Sequence, residues 1–246
     1  MSEGGDQSTA PVIALALSGG GARAMAFHLG CMRALHDRGL LERVAVLSTV
    51  SGGGVIGACW AYWNCDFAEF DRRMISLLRG GIQGSILRSA LFSVETFKIA
   101  ATIVFNGIPA ALIGVVRMAL RILRLALRIP TAFADNWLAG LSRGLPIWGS
   151  LSTAFERALR RELFDDAKVG DVKRGGLEVV INACDLRTGT AFRFGSVSSG
   201  GWRYGRIKDN NITVAKAVAA SAAFPLLLSP LVERFEFERQ GRVHVR

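Results

Sequence analysis

Three features of the sequence predict an α/β fold. Val12 to Leu35 and Val44 to Trp63 each pass from a short run of branched and small apolar residues, through a serine-glycine corner, into a helical pattern. Successive units of that kind build a parallel sheet covered by helices. Further along, Leu177 to Ala183 and Ala191 to Gly195 read as strands joined by a turn at Arg187-Thr188-Gly189-Thr190. A small-residue helix from Thr213 to Ala223 then offers a face that can lie close to the sheet.

The first helix, Ala22 to Arg38, places Met25, Leu29, Met32 and Leu35 on one face and stops at Gly39 as a C′ residue. His28 and His36 ride on it and read as packing or surface residues, not as bases. Glu69 to Gly84 is charged and reads as mixed helix and loop. Thr153 with Glu156 resembles a capping box for a helix running to about Phe164. The loop Lys208-Asp209-Asn210-Asn211 is expected to cap the helix that follows it, and Arg239-Gln240-Gly241-Arg242 to turn between two final strands.

The chain of 246 residues is long enough for one domain with a substantial core. Half of it is hydrophobic, mean hydropathy is +0.32, and the net charge is +10 with a pI near 10.3. That balance favours acidic partners. Nucleic acid is set aside, because the arginines are interleaved with leucine and isoleucine instead of exposed aromatics and no binding motif is present. An anionic lipid surface remains. Cys31, Cys59, Cys65 and Cys184 lack metal-type pairing and read as buried thiols in a reducing compartment. Residues 1–10 are polar and read as a disordered tail, and the apolar run after them is too short for a secretory signal.

Two stretches carry chemistry. In the second unit the strand Val44 to Thr49 runs into Ser51-Gly52-Gly53-Gly54. A serine at such a corner is a nucleophile elbow: the turn strains the backbone so that the hydroxyl stands clear of the sheet, at the positive end of the next helix. Gly52 and Gly53 are required because side chains there would collide with neighbouring strands. The fit to G-x-S-x-G is imperfect, since Thr49 stands at the first position. In the first unit Gly19, Gly20 and Gly21 leave bare N–H groups at a helix N-terminus, an anion site by construction, with the charge of Arg23 beside it. An acyl-transfer serine needs such donors for its oxyanion, and losing one raises the barrier by roughly 3 kcal/mol. Gly19-x-Gly21-x-x-Ala24 also fits a dinucleotide fingerprint. That fold wants an acid at the end of the second strand, where this chain has Leu47-Ser48-Thr49.

Gly19-Gly20-Gly21-Ala22-Arg23 followed by Ser51-Gly52-Gly53 resembles the patatin-like phospholipase family. So do Asn182 to Gly189 and Ala219-Ala220-Ser221-Ala222-Ala223-Phe224-Pro225. The likeness runs from about Ile13 to Pro230 and is weakest over residues 66–145. It implies a three-layer α/β sandwich with a central, mostly parallel sheet, and a lipid acyl hydrolase that works without metal or organic cofactor. It further implies Ser51 as nucleophile, Gly19 to Gly21 with Arg23 as the oxyanion loop, and an aspartate that takes the serine proton directly, with no histidine. The expected substrates are membrane phospholipids or other lipid esters.

In the family that aspartate stands in Asp-Gly-Gly or Asp-Gly-Ala shortly after the segment matching Ala219 to Pro225, and this sequence contains no Asp-Gly dipeptide. The domain is accordingly read as residues 11–246, cut short before its general base. Asp185 begins a turn and reads as structural. Asp209 lies in a loop, Ser196, Ser198 and Ser199 form a glycine-serine linker, and His244 lies too close to the end of the sequence for a dependable Ser-His-Asp triad. The competing reading is a catalytically inactive protein that binds anionic membranes.

Residues 85–145 read as a membrane-contacting insertion. Ile99 to Val116 carries no charge over a length that meets the minimum for a span, although Asn106, Gly107, Pro109 and Gly114 make a re-entrant hairpin equally plausible. Next, Arg117, Arg121, Arg124 and Arg128 recur on one helical face, with Met118, Ile122 and several leucines filling the rest. A helix with arginine on one side and leucine on the other suits the plane of an anionic membrane. The expected location is the cytoplasmic face of a membrane.

Overall fold

The computed structural model describes residues 12–80, 115–116, 118–119, 122, 151–223, 230–239 and 242–245. The tail 1–10, most of the 85–145 insertion, and Arg117, Arg121, Arg124 and Arg128 lie outside them. So do Phe224-Pro225 and the side chain of His244.

The chain opens with β1 (Ile13–Leu17), α1 (Gly21–His36), a 3-10 turn (Leu41–Arg43), β2 (Val44–Thr49), α2 (Gly52–Tyr62) and α3 (Phe67–Arg79). After the insertion come α4 (Leu151–Leu159), a π-helical turn (Arg160–Phe164), β3 (Glu178–Asp185), β4 (Thr190–Gly195), β5 (Gly200–Gly201) and β6 (Gly205–Ile207). The helix α5 (Val214–Ala222) and the hairpin β7 (Glu236–Arg239) and β8 (Arg242–Val245) complete the described fold. The strands form one sheet in the order of their numbers. β1, β2 and β3 run parallel, with Leu17 beside Thr49 and Thr49 beside Ile181. From β3 onward the neighbours are antiparallel. The predicted α/β sandwich is therefore built on a mixed sheet whose parallel part carries both glycine turns.

The helix α2 is the centre of the described core. Every residue from Gly52 to Tyr62 is buried, and the segment has no polar stripe. A helix apolar all round must be covered all round, and α2 is covered by β1 to β3, α1, α3 and α5. The small residues of α5 allow the close approach: Ala215, Ala217 and Ala219 are fully buried.

The first helix buries Met25, Leu29 and Met32 as its periodicity requires, and His28 with them. His28 Nε2 lies 3.0 Å from the Ser18 carbonyl, a packing role. The glycine stop is also present. Gly39 has φ +63°, and Leu40 N–H donates to Leu35 O at 2.9 Å while Gly39 N–H donates to His36 O, a Schellman end.

Three expectations are corrected. Thr153 lies inside α4, which is already helical at Leu151, so it is not an N-cap. The cap of α5 is the Thr213 hydroxyl, which accepts from Lys216 N–H, while Asn210 turns away and donates to Gly195 O. Of the four thiols only Cys59 is buried; Cys31 and Cys65 are half-buried and Cys184 is exposed.

Between α4 and α5 burial holds the Glu156 carboxyl above its ordinary range, with Lys216 opposing the shift. A carboxyl raised on folding binds more protons in the folded state, so its stabilisation is full below its unfolded pKa and is lost as pH rises through its raised folded one. Glu156→Gln is expected to raise the unfolding midpoint at neutral pH and to leave it unchanged below about pH 4. A lower midpoint at neutral pH would show that Lys216 outweighs burial.

Candidate active site

Ser51 follows the last residues of β2 and directly precedes α2. Its backbone sits at φ 54°, ψ −121°, a conformation that non-glycine residues adopt only where the surroundings enforce it. As the N-cap of α2 its side chain makes no capping bond, and among the described residues none hydrogen-bonds its hydroxyl. The hydroxyl is thus presented on a strained backbone, without a partner among the described residues, at the positive end of a buried helix.

The glycines around it are fixed by close approach. A Cβ on Gly53 would stand 2.4 Å from Leu17 O, and one on Gly52 2.4 Å from Gly21 O. The two glycine turns therefore touch through bare backbone. On the other side, a Cβ on Gly19 would lie 3.2 Å from the Ser51 Cβ and 3.8 Å from its Oγ. Gly20, the N-cap of α1, has φ 136°, and Gly21 has φ 61°. Two helix N-termini converge on Ser51, and neither helix carries an acid in its first turn. Gly19 to Gly21 are exposed, as is Arg23 in the first turn of α1.

Thr49, the departure from the elbow motif, is accommodated by a glycine one helical turn and more along α2: a Cβ on Gly57 would meet Thr49 Cγ2 at 2.6 Å. The larger residue is compensated, and it is almost fully buried.

Behind the elbow runs a polar chain that reading the sequence left without a role. Asn182 on β3 donates through Nδ2 to Ser48 Oγ (3.0 Å) and Thr49 O (3.1 Å) on β2. Its own carbonyl accepts from Ser221 Oγ at 2.6 Å, and Ser221 Oγ accepts the N–H of Ser51 at 2.8 Å. The available signals were an asparagine inside an otherwise apolar strand and a lone hydroxyl in an alanine helix.

A cavity of about 670 Å³ begins beside the elbow, where Val50, Asn182 and Ser221 line it, and continues between Phe192, Phe194 and Phe237. Asp185 stands at its rim, occupied as expected of a turn residue: it accepts from Arg187 N–H at 3.0 Å and from Thr188 Oγ1 at 2.6 Å. Two of the linker serines are structural. Ser196 Oγ accepts from Val179 N–H and Ser199 Oγ from Gly195 N–H. His36 pairs with Glu42 and stacks on Phe67, away from the elbow. Among the described residues no group of histidine, cysteine and acids could hold a metal ion.

A strained serine thus stands between a parallel strand and a buried helix, facing a second glycine-rich helix N-terminus on an α/β sheet. The sequence profile of the patatin-like phospholipase family matches residues 15–236. The chain belongs to that family.

No curated protein matches the chain. Among solved structures it is similar to human GIVD cytosolic phospholipase A2 in complex with methyl gamma-linolenyl fluorophosphonate and terbium chloride, with 20% identity over 86% of this chain and 30% of that one and a TM-score of 0.45. VipD from Legionella pneumophila shows 15% identity over 96% and 46% of the two chains, with a TM-score of 0.42. The type III effector protein ExoU of Pseudomonas aeruginosa shows 21% identity over 88% and 41%, with a TM-score of 0.39. The chain spans less than half the length of each of these proteins.

Proposed function

We propose that this chain carries the nucleophile and the oxyanion donors of a serine acyl hydrolase acting on membrane lipid esters. The observation that carries the reading is the backbone of Ser51, held at φ 54° against the bare Gly19 to Gly21 turn with a hydroxyl that no described residue bonds. Ser51 Oγ attacks the ester carbonyl while its proton passes to a general base. The carbonyl oxygen takes up the negative charge and is met by N–H groups of Gly19 to Gly21, with Arg23 supporting the loop. Collapse expels the alcohol, which takes the proton back, and water then releases the acyl group from Ser51.

The base of a Ser-Asp dyad would be an aspartate in an Asp-Gly-Gly or Asp-Gly-Ala segment, which these 246 residues do not contain. Asp185 does not fill the place, because both of its oxygens serve its own turn. The aromatic cavity beside Val50 supports a substrate with a long acyl chain.

Membrane contact by residues 85–145 is the second part of the proposal, for a domain of residues 11–246 at the cytoplasmic face. Its support is the exposure of Val115, Val116, Met118 and Ile122, which alternate in sequence with Arg117 and Arg121. Among the described residues no helix is long and apolar enough to cross a membrane, and residues 99–114 lie outside them. Apolar side chains bared beside single-signed charge suit an anionic bilayer.

The test is release of fatty acid from vesicles of mixed neutral and anionic phospholipid. With the unaltered chain, Ser51-dependent hydrolysis is expected only at the residual level that a serine without its dyad base sustains, to be lost in Ser51→Ala, and to fall when the anionic lipid is left out. Background hydrolysis by both proteins on vesicles they bind would overturn the hydrolase reading and leave the membrane-binding one.

A further inference from the structure

We infer that Ser221 is a positioning residue for the nucleophile: its hydroxyl locks the strained backbone of Ser51 and withholds the Ser51 N–H from the oxyanion. The inference rests on the reading of Ser51 as nucleophile.

Ser221 lies in the last turn of α5, 170 positions from Ser51 in sequence. A serine side chain is short, so it reaches the elbow only because α5 lies close to the sheet, with Ala217 and Ala219 buried against their neighbours. A Cβ added to Gly54 would come within 3.7 Å of Ser221 Oγ, so nothing intervenes between the two helices there.

The hydroxyl has one proton and two lone pairs. The proton is committed to Asn182 O at 2.6 Å, and this fixes the rotor. A lone pair is then aimed at the Ser51 N–H, 2.8 Å away. Asn182 in turn grips Ser48 and Thr49 through its side-chain amide, so the lock is anchored on the end of β2 that leads into the corner. A residue at φ 54°, ψ −121° relaxes unless something holds it. Ser221 supplies that hold at the peptide whose rotation would move the hydroxyl.

The bond has a second consequence. In an elbow the oxyanion is served by the N–H of the residue after the serine and by an N–H from a neighbouring loop, and here the Ser51 amide itself faces α5 and is occupied. The donors left for a substrate oxygen are those of the glycine-rich turn at Gly19 to Gly21 and the first turn of α2. Ser221 thereby sets from which side the carbonyl must approach.

The test uses the unaltered chain, Ser221→Ala and Ser221→Thr, which keeps a hydroxyl. Two quantities are read: hydrogen exchange of the Ser51 amide, and the rate of Ser51 labelling by an alkyl fluorophosphonate. In Ser221→Ala the Ser51 amide is expected to exchange about tenfold faster, and labelling to slow by about the same factor, which is what one well-held hydrogen bond is worth. Ser221→Thr is expected to restore both. Unchanged exchange in Ser221→Ala would overturn the lock, whatever Ser221→Thr does. Faster exchange with unchanged labelling would overturn the positioning role. Faster exchange with no labelling of any form would contradict Ser51 as nucleophile, and the positioning role with it.

Discussion

Gly53→Ala is expected to destabilise the fold by about 3 kcal/mol or more, the upper range for forcing atoms into a filled interior. The new methyl would meet Leu17 O at 2.4 Å, Leu17 C at 2.7 Å and Ser18 O at 2.7 Å. All three are backbone atoms at the end of β1, and Leu17 O is already bonded to Val50 N–H at 3.1 Å. No side chain can swing aside to make room. Either β1 separates from β2 or α2 lifts off the sheet, and both expose the core. Gly30→Ala is the contrasting control. Gly30 lies inside α1 with open space where its Cβ would stand, so the same substitution is expected to stabilise by up to about 1 kcal/mol through helix propensity. Urea unfolding of the two variants beside the unaltered chain checks both signs. Equal stability of Gly53→Ala would mean that the two turns are not in contact as described.

Arg174→Ala is expected to cost about 3 kcal/mol, because it removes a stacked cation together with two charge-assisted hydrogen bonds. The guanidinium lies over the Trp60 ring, 3.1 Å from its centre, and donates to Trp60 O at 2.5 Å and Cys65 O at 3.2 Å. Trp60 belongs to the last turn of α2, where carbonyl groups run out of helical partners and the dipole is negative. Arg174 meets both needs from outside the helix. Burial lowers its pKa, so the cation is held there against desolvation by the contacts just named. Arg174→Lys is expected to recover only part of the loss, since an ammonium cannot stack on the ring and bond two carbonyls in one plane. Thermal unfolding of both variants reads the difference. Because α2 carries Ser51 at its other end, loosening its C-terminus should also slow labelling of Ser51 in whatever fraction stays folded.

The parts of the fold that were legible in the sequence are those where a period changes within a few residues. The turn at Gly19 to Gly21 and the corner at Ser51 each separate a strand pattern from a helical one, and both elements start within a residue or two of the expected place. The hairpin from Leu177 to Gly195 was equally plain, since a turn sequence stands between two apolar runs. The antiparallel part of the sheet was less visible. β5 has two residues and β6 three, too short to show alternation, and β5 passes through the glycine-serine segment that composition marks as linker.

Asn182 and Ser221 illustrate a different limit. Both lie in segments that carry the family likeness, yet their role depends on a contact between residues 170 apart, and no local pattern reports such a contact. Thr49 is the converse case. It breaks the elbow motif in sequence, and only the packing against Gly57 shows how the corner tolerates it.

The claim on which the rest depends is that Ser51 is the reactive group. Its most direct test is the site of an alkyl fluorophosphonate adduct, located by mass spectrometry of peptides after incubation of the folded protein with anionic vesicles. The account predicts a single adduct on the peptide containing Ser51, absent from Ser51→Ala and suppressed by excess phospholipid substrate. An adduct on another serine, or one that persists in Ser51→Ala, would contradict it.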